Sequence, residues 1–248
     1  MFTIIPVEIT GNDVDALSRK FWTIPIIGLF YGLVAATLFY ILGNVFNGLI
    51  CSAIVLLTIH GLNRFLHFDG LIDLGDGLIA TGTHDEKLMA MKDTRVGAGG
   101  VAFGLLFTLL ILFSLSSVPH VIFIVPIAME VLAKNSLFTT AAFGKPREGL
   151  GNPFVSNARR SNVVYSSMIS LVLLLIFSSI SYLSGAHSHT LAIMIVMMLA
   201  ASIFTGYLMS KIAMRSFRSV NGDLLGATNE ISKAAVLITA LAVMAWMP

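Results

Sequence analysis

Residues 98–118 read AGGVAFGLLFTLLILFSLSSV, twenty-one positions without a charged side chain. A helix of about 20 residues rises about 30 Å, the thickness of a bilayer's hydrocarbon core, so this stretch predicts a membrane-spanning helix. Six further segments have similar length and character: about 22–42, 47–66, 120–141, 162–183, 190–211 and 230–247. The second is the most polar, carrying Asn47, His60 and Asn63. Composition agrees, with 56% hydrophobic and only 11% charged residues among 248, against roughly 25% charged in a soluble domain. The expected fold is all-α, a polytopic membrane helix bundle of about seven transmembrane helices, with residues 1–248 forming one integral-membrane domain without linkers or repeats.

The charges give this bundle a direction. Connectors near Asn44, Pro119 and Gly185-Ala186 hold no Lys or Arg. Every basic residue falls in the N-terminal segment, in connectors around 64–95, 144–160 and 211–218, or at helix ends beside them (Lys134, Lys233). By the positive-inside rule the N-terminus is cytoplasmic and the C-terminus external, in a cell membrane. Six of the thirteen acids lie between Asp69 and Asp93, on the same side. That distribution suits an enzyme or transporter acting on cytoplasmic solutes and disfavours a receptor. Basic and acidic residues are mixed in these loops, so no nucleic-acid patch forms. The lone Cys51 lies in an apolar span and gives no disulfide framework. No cleavable signal peptide is expected, because the first apolar run is long and follows a polar opening.

Two short helices are expected outside the spans. Residues 13–20 form an interfacial helix with Asp13 as a possible N-cap. Thr83-His84-Asp85-Glu86 is a capping-box match that opens a helix over 83–92. Gly97, Gly99 and Gly100 mark a flexible or tightly packed entry to the 98–118 span.

Upstream lies HFDGLIDLGDG, residues 67–77, in which Asp69, Asp73 and Asp76 recur at i, i+4 and i+7. On a helix all three point the same way and repel one another, and no Lys or Arg stands between them. A divalent cation would relieve that repulsion, and hard carboxylate oxygens suit Mg²⁺ or Mn²⁺ better than zinc. The bland reading is a solvated acidic face. Against it, Gly70, Gly75 and Gly77 weaken the helix and point to a ligand or a helix approaching the backbone closely. His67 is a candidate general base or metal ligand, or equally a helix cap.

Residues 91–97, MKDTRVG, add Asp93 to the possible metal shell, with Lys92 and Arg95 as phosphate ligands; topology alone also accounts for the two cations. Arg147, in the Gly-punctuated loop 144–152, is a third phosphate candidate because its planar fork matches phosphate geometry. Asn221, Asp223 and Glu230 are possible substrate contacts, and Asp223 and Glu230 could equally sit at the interface. His60, Glu130 and Asn135 are polar groups within spans, where such groups usually face a cavity or the bundle interior. An acidic metal patch with neighbouring cations is what diphosphate chemistry requires.

These motifs, together with NGDLLGA at 221–227 and Arg147-Glu148-Gly149-Leu150-Gly151, resemble the cobalamin synthase family. The chain departs from the family at Phe21-Trp22-Thr23-Ile24-Pro25, where Thr-Arg-Ile-Pro is common, and at Arg218-Ser219-Val220-Asn221-Gly222-Asp223, where Gly-Gly-x-Thr-Gly-Asp is usual. The resemblance implies a membrane-embedded, Mg²⁺-dependent adenosylcobinamide-GDP ribazoletransferase. Its substrates would be adenosylcobinamide-GDP and α-ribazole, or α-ribazole 5′-phosphate. Asp69, Asp73, Asp76 and Asp93 would hold the metal, and Lys92, Arg95 and Arg147 would hold phosphate. Asp76, Asp73 and His67 would be the catalytic groups, with Asp76 orienting or deprotonating the attacking hydroxyl.

Two rivals stand beside it. A CDP-alcohol phosphotransferase uses a related acidic cluster, but it expects Ala-Arg where Ile72-Asp73 stands. A divalent-cation transporter predicts charge in the middle of several spans, whereas Glu130 is the only acid well inside one. Gly- and Ala-rich spans leave room for contacts between helices of one chain or of a homo-oligomer.

Overall fold

The computed structural model describes residues 10–183 and 188–246. Eleven α-helices are present there: α1 (Gly11–Arg19), α2 (Pro25–Leu42), α3 (Gly48–Leu62), α4 (Leu66–Ile79), α5 (His84–Met91), α6 (Ala98–Ser116), α7 (Ile124–Phe143), α8 (Asn152–Asn157), α9 (Asn162–Leu183), α10 (Ser188–Ser216) and α11 (Gly222–Trp246). The described residues contain no strand, only an isolated parallel bridge between Pro146 and Val220. The connector at Gly185-Ala186 and the end of the last expected span lie outside the described residues.

Among the described residues, five helical segments are long and apolar enough to cross a bilayer: Phe21–Leu42, Ala98–Ser116, Asn162–Ser179, Thr190–Ser216 and Gly222–Trp246. Their outward faces carry large apolar side chains such as Leu106 and Phe204, each more than 60% exposed. A surface of that kind is stable against lipid and not against water. The protein is an integral membrane protein built as an all-helical bundle.

The expected count of seven differs at two places. α3 is only 15 residues long, and α4 leaves it at 94°, so the two could make a sixth crossing only as a broken span. The break has a backbone cause: Arg64 and Phe65 both adopt the left-handed conformation (φ 56° and 59°). Each such residue costs on the order of 1–3 kcal/mol. The Phe65 amide is satisfied by the His60 carbonyl at 2.8 Å, and its ring stacks on His60. α7 is long enough to span but too polar to stand as an independent apolar segment. Every residue from Ile124 to Ala142 is buried, and the helix packs against α2, α9, α10 and α11 as the bundle's central post.

The bundle has two distinct ends. At one, short turns meet: Gly43 packs on His120 and Gly48 on Ser116. At the other, the polar segments converge, with Val220 N–H donating to the Lys145 carbonyl and Gly151 packed on Gly222. A second apolar cluster of Phe21, Phe138, Phe154, Phe217 and Leu224 supports this charged end from beneath.

Both short helices form. The N-cap of α1 is Thr10, not Asp13; Asp13 sits at the third helical position and returns a hydrogen bond to the Thr10 amide at 2.8 Å. Thr83 and Glu86 make the reciprocal capping box expected for α5.

Lys134 and Lys233 do not sit at helix ends. Both lie in the interior of the bundle, where Lys233 Nζ is 3.0 Å from Glu230 Oε1 and 3.1 Å from Glu130 Oε1. The second approach lacks the angle of a hydrogen bond, and Glu130 Oε2 has no donor at all. Lys134 donates to Asn229 Oδ1 at 2.6 Å, and Asn229 donates to Glu230 Oε1 at 3.0 Å. Two carboxylates and two ammonium groups thus neutralise one another across α7 and α11, which is how ionised groups persist inside a membrane bundle.

Candidate active site

α4 carries the acidic stripe because its opposite face is made of small and apolar groups: Gly70, Leu71, Leu74, Gly75 and Gly77 are buried. The glycines are explained by backbone approach. Gly70 packs directly on the Asp223 backbone, and a Cβ at Gly75 would lie 2.5 Å from the Gly99 carbonyl oxygen. The neighbour foreseen for these glycines is therefore the protein's own helices, α11 and α6. Consequently Asp223, at the start of α11, stands beside the stripe.

Asp73 is flanked by Asp223, Asp69 and Asp76, each near enough for its charge to act on it. Neither Asp69 nor Asp73 accepts a hydrogen bond or forms an ion pair with any described residue. Asp76 differs. Its Oδ2 accepts the Gly97 N–H and its Oδ1 the Gly100 N–H, both at 2.8 Å. Gly97 is the N-cap residue of α6 and supplies no side-chain cap, so Asp76 caps that helix from a distance. The negative charge also opposes the positive end of the α6 dipole. Side chains at Gly97 or Gly100 would collide with these oxygens at 2.5 and 2.6 Å.

Asp93 is taken up by Arg95, which donates from Nε and Nη2 at 3.2 and 3.0 Å. That bidentate pair holds the Asp93 carboxyl below the usual carboxylate range. Lys92 ends α5 and lies close enough for its charge to bear on Asp223. Arg147 is 4.0 Å from Asp85, an exposed and loose pairing.

The other candidates take structural positions. Asn221 caps α11, accepting the Leu224 N–H at 3.0 Å and donating to Asp223 Oδ2 at 2.9 Å. Glu230 is two turns deeper and enclosed in the Lys233 network. His67 packs over Gly226, with its Nδ1 buried and without a partner. His60 also has an unpartnered Nδ1. Arg218, not singled out from the sequence, stands beside Arg147 on a shared cavity. Its signal was present in the 215–218 segment, but its left-handed backbone (φ 57°) was not.

No three His, Cys, Asp or Glu side chains are drawn together tightly enough to hold a metal ion among the described residues. The fit to a hard divalent cation is one of charge and donor type: Asp69, Asp73 and Asp223 offer oxygens that nothing cationic neutralises directly. It is not a finished coordination shell.

Comparison with known proteins is consistent along the whole chain. Residues 1–241 match the family model described as cobalamin-5-phosphate synthase. A protein of Methanocella arvoryzae named adenosylcobinamide-GDP ribazoletransferase is 34% identical, over 99% of this chain and 93% of its own length. A Methanosarcina mazei protein of the same name is 33% identical over 94% of this chain and 86% of its own. No solved structure matches. The chain belongs to the cobalamin-5-phosphate synthase family and is a membrane-embedded transferase of cobalamin synthesis.

Proposed function

We propose that the protein joins adenosylcobinamide-GDP to α-ribazole, or to α-ribazole 5′-phosphate, releasing GMP and forming adenosylcobalamin or its 5′-phosphate. The relatives' names supply the donor and the transferred partner. The unpaired carboxylates of Asp69 and Asp73, joined by Asp223 at one end of the bundle, carry the reading. They are the groups best suited to hold Mg²⁺ against a diphosphate. Bound there, the ion supplies neutralisation of phosphate charge and polarisation of the phosphorus.

The chain's own residues do the rest. Lys92, Arg95 and Arg147 bind and orient phosphate oxygens at the same end of the bundle. Asp76 fixes the start of α6 against α4 and so keeps the stripe in register; through Asp73, it sets the local field that an incoming hydroxyl meets. His67, whose Nδ1 has no hydrogen-bond partner, is the candidate acceptor of the hydroxyl proton. Attack of that hydroxyl on the phosphorus nearer cobinamide forms one P–O bond and breaks the bond to GMP. The concentration of Lys and Arg at this end supports a site on the cytoplasmic side of the cell membrane, with the N-terminus inside.

The test is product formation by the purified protein in lipid, given adenosylcobinamide-GDP and α-ribazole, with Mg²⁺ or with EDTA. GMP and an adenosylcobalamin product in equal amounts, only with Mg²⁺, support the reading. Equal turnover in EDTA would remove the metal from it, and no product from any acceptor would remove the transferase.

A further inference from the structure

At the charged end of the bundle lies an open cavity of about 540 Å³, of whose lining only Arg147 has a role in the reading above. Three segments build it: the start of α5, the loop before α8 and the turn between α10 and α11. They are tied together by two hydrogen bonds. Val220 N–H donates to the Lys145 carbonyl at 2.8 Å, and His84 Nδ1 lies 2.9 Å from the Ser216 carbonyl oxygen. That acceptor requires the proton on Nδ1. Arg147 and Arg218 both line the cavity, with Phe217 as its apolar floor and Ser219 beside it. Phe217 also packs against Gly77 on the buried face of α4, so the cavity rests on the helix whose other face carries the stripe.

Two observations mark the cavity as a binding site. Arg218 makes no hydrogen bond or ion pair with any described residue, while Arg147 has only the 4.0 Å approach of Asp85. Arg218 is also held in the left-handed conformation (φ 57°) by the bonds of Phe217 and Val220 on either side, which fixes where its side chain leaves the turn. The volume falls within the roughly 300–1,000 Å³ of small-molecule sites. Two guanidinium forks on one cavity, with only the exposed Asp85 as a carboxylate in its lining, favour a phosphate monoester carrying a compact organic group.

We propose that this cavity seats a nucleoside 5′-monophosphate group, its phosphate held by Arg147 and Arg218, while the acidic stripe attends to the reacting phosphorus. The proposal rests on the transferase reading. That chemistry has two sources there, the guanylate half of the donor and a phosphorylated acceptor nucleoside.

The test is equilibrium binding of GMP and of α-ribazole 5′-phosphate to the full chain in nanodiscs, in EDTA, with guanosine and α-ribazole for comparison. Arg218→Gly suits the positive φ and removes the guanidinium without threatening the fold; Arg147→Gln is the second variant and Arg19→Gln the remote control. At least one monophosphate should bind more tightly than its nucleoside and lose about tenfold or more in affinity in both site variants. The ligand that loses affinity identifies the source. Unchanged affinity in both variants, or a nucleoside binding as tightly as its monophosphate, would overturn the proposal. Turnover is not needed for this readout. A protein that binds as expected but forms no product would retain the seat and lose the transferase reading.

Discussion

Asp76 holds Gly100, and with it the first turn of α6, through a 2.8 Å bond from the Gly100 amide to Oδ1, while its other oxygen takes the Gly97 amide. One carboxylate thus joins the acidic helix to the apolar span that follows it. The three aspartates of the stripe are equivalent in spacing and unequal in work.

That inequality separates two substitutions. Asp73→Asn removes a charge that its neighbours repel, so thermal stability in detergent should hold or rise while turnover falls by about a hundredfold or more. Asp76→Asn removes a charged cap, worth about 0.5–2 kcal/mol in other helices, so melting temperature and turnover should fall together. Thermal unfolding of both variants, each assayed for GMP release, checks the contrast.

The glycine contacts make a second prediction. Gly75→Ala places a methyl against the Gly99 carbonyl, and Gly70→Ala places one against the Asp223 backbone. Overpacking of this kind costs about 1–3 kcal/mol. Gly61→Ala, where nothing lies within 4 Å, should be neutral. Unfolding midpoints in mixed micelles measure all three.

The interior ion network is tested by Lys233→Met, which leaves Glu130 and Glu230 buried without their cation. Breaking one side of such a cluster costs about 3–5 kcal/mol. Adding Glu130→Gln and Glu230→Gln to the same chain should recover much of the loss. A triple variant as unstable as the single one would mean that Lys233 acts through packing rather than charge.

Acid should loosen α5 before the rest of the bundle. Hydrogen bonds from the Thr83 amide and hydroxyl hold the Glu86 carboxyl below its usual value of 4.5. The folded value is depressed, so this contribution is present above pH 4.5 and is lost as pH falls through the folded value. Hydrogen exchange over residues 83–91, corrected for intrinsic rates, should accelerate on acidification, and Glu86→Gln should remove the pH dependence.

Much of this architecture was legible in the sequence because lipid imposes long apolar runs and a charge bias on connectors. The 98–118 run, the Thr83 capping box and the i, i+4, i+7 acidic spacing all appear as read. What was not legible depends on tertiary contact. Composition could not show that α3 stops at a left-handed Arg64-Phe65 pair, or that α7 is enclosed on all sides and so carries Glu130, Lys134 and Asn135 within the bundle. Glycine in the stripe announced close approach without naming the partner, which is Asp223 across Gly70. The pairing of Arg147 with Arg218 joins loops some seventy positions apart, and neither periodicity nor spacing reports such a meeting.

We propose a shared Mg²⁺ site in which Asp69, Asp73 and Asp223 together hold the cation required for transfer. Its most direct test is the rate of GMP release as a function of Mg²⁺ concentration in Asp69→Asn, Asp73→Asn and Asp223→Asn. Each should need about tenfold or more Mg²⁺ for half-maximal rate, with a maximum well below that of the unmodified protein. A half-maximal Mg²⁺ concentration unchanged in all three would contradict the account.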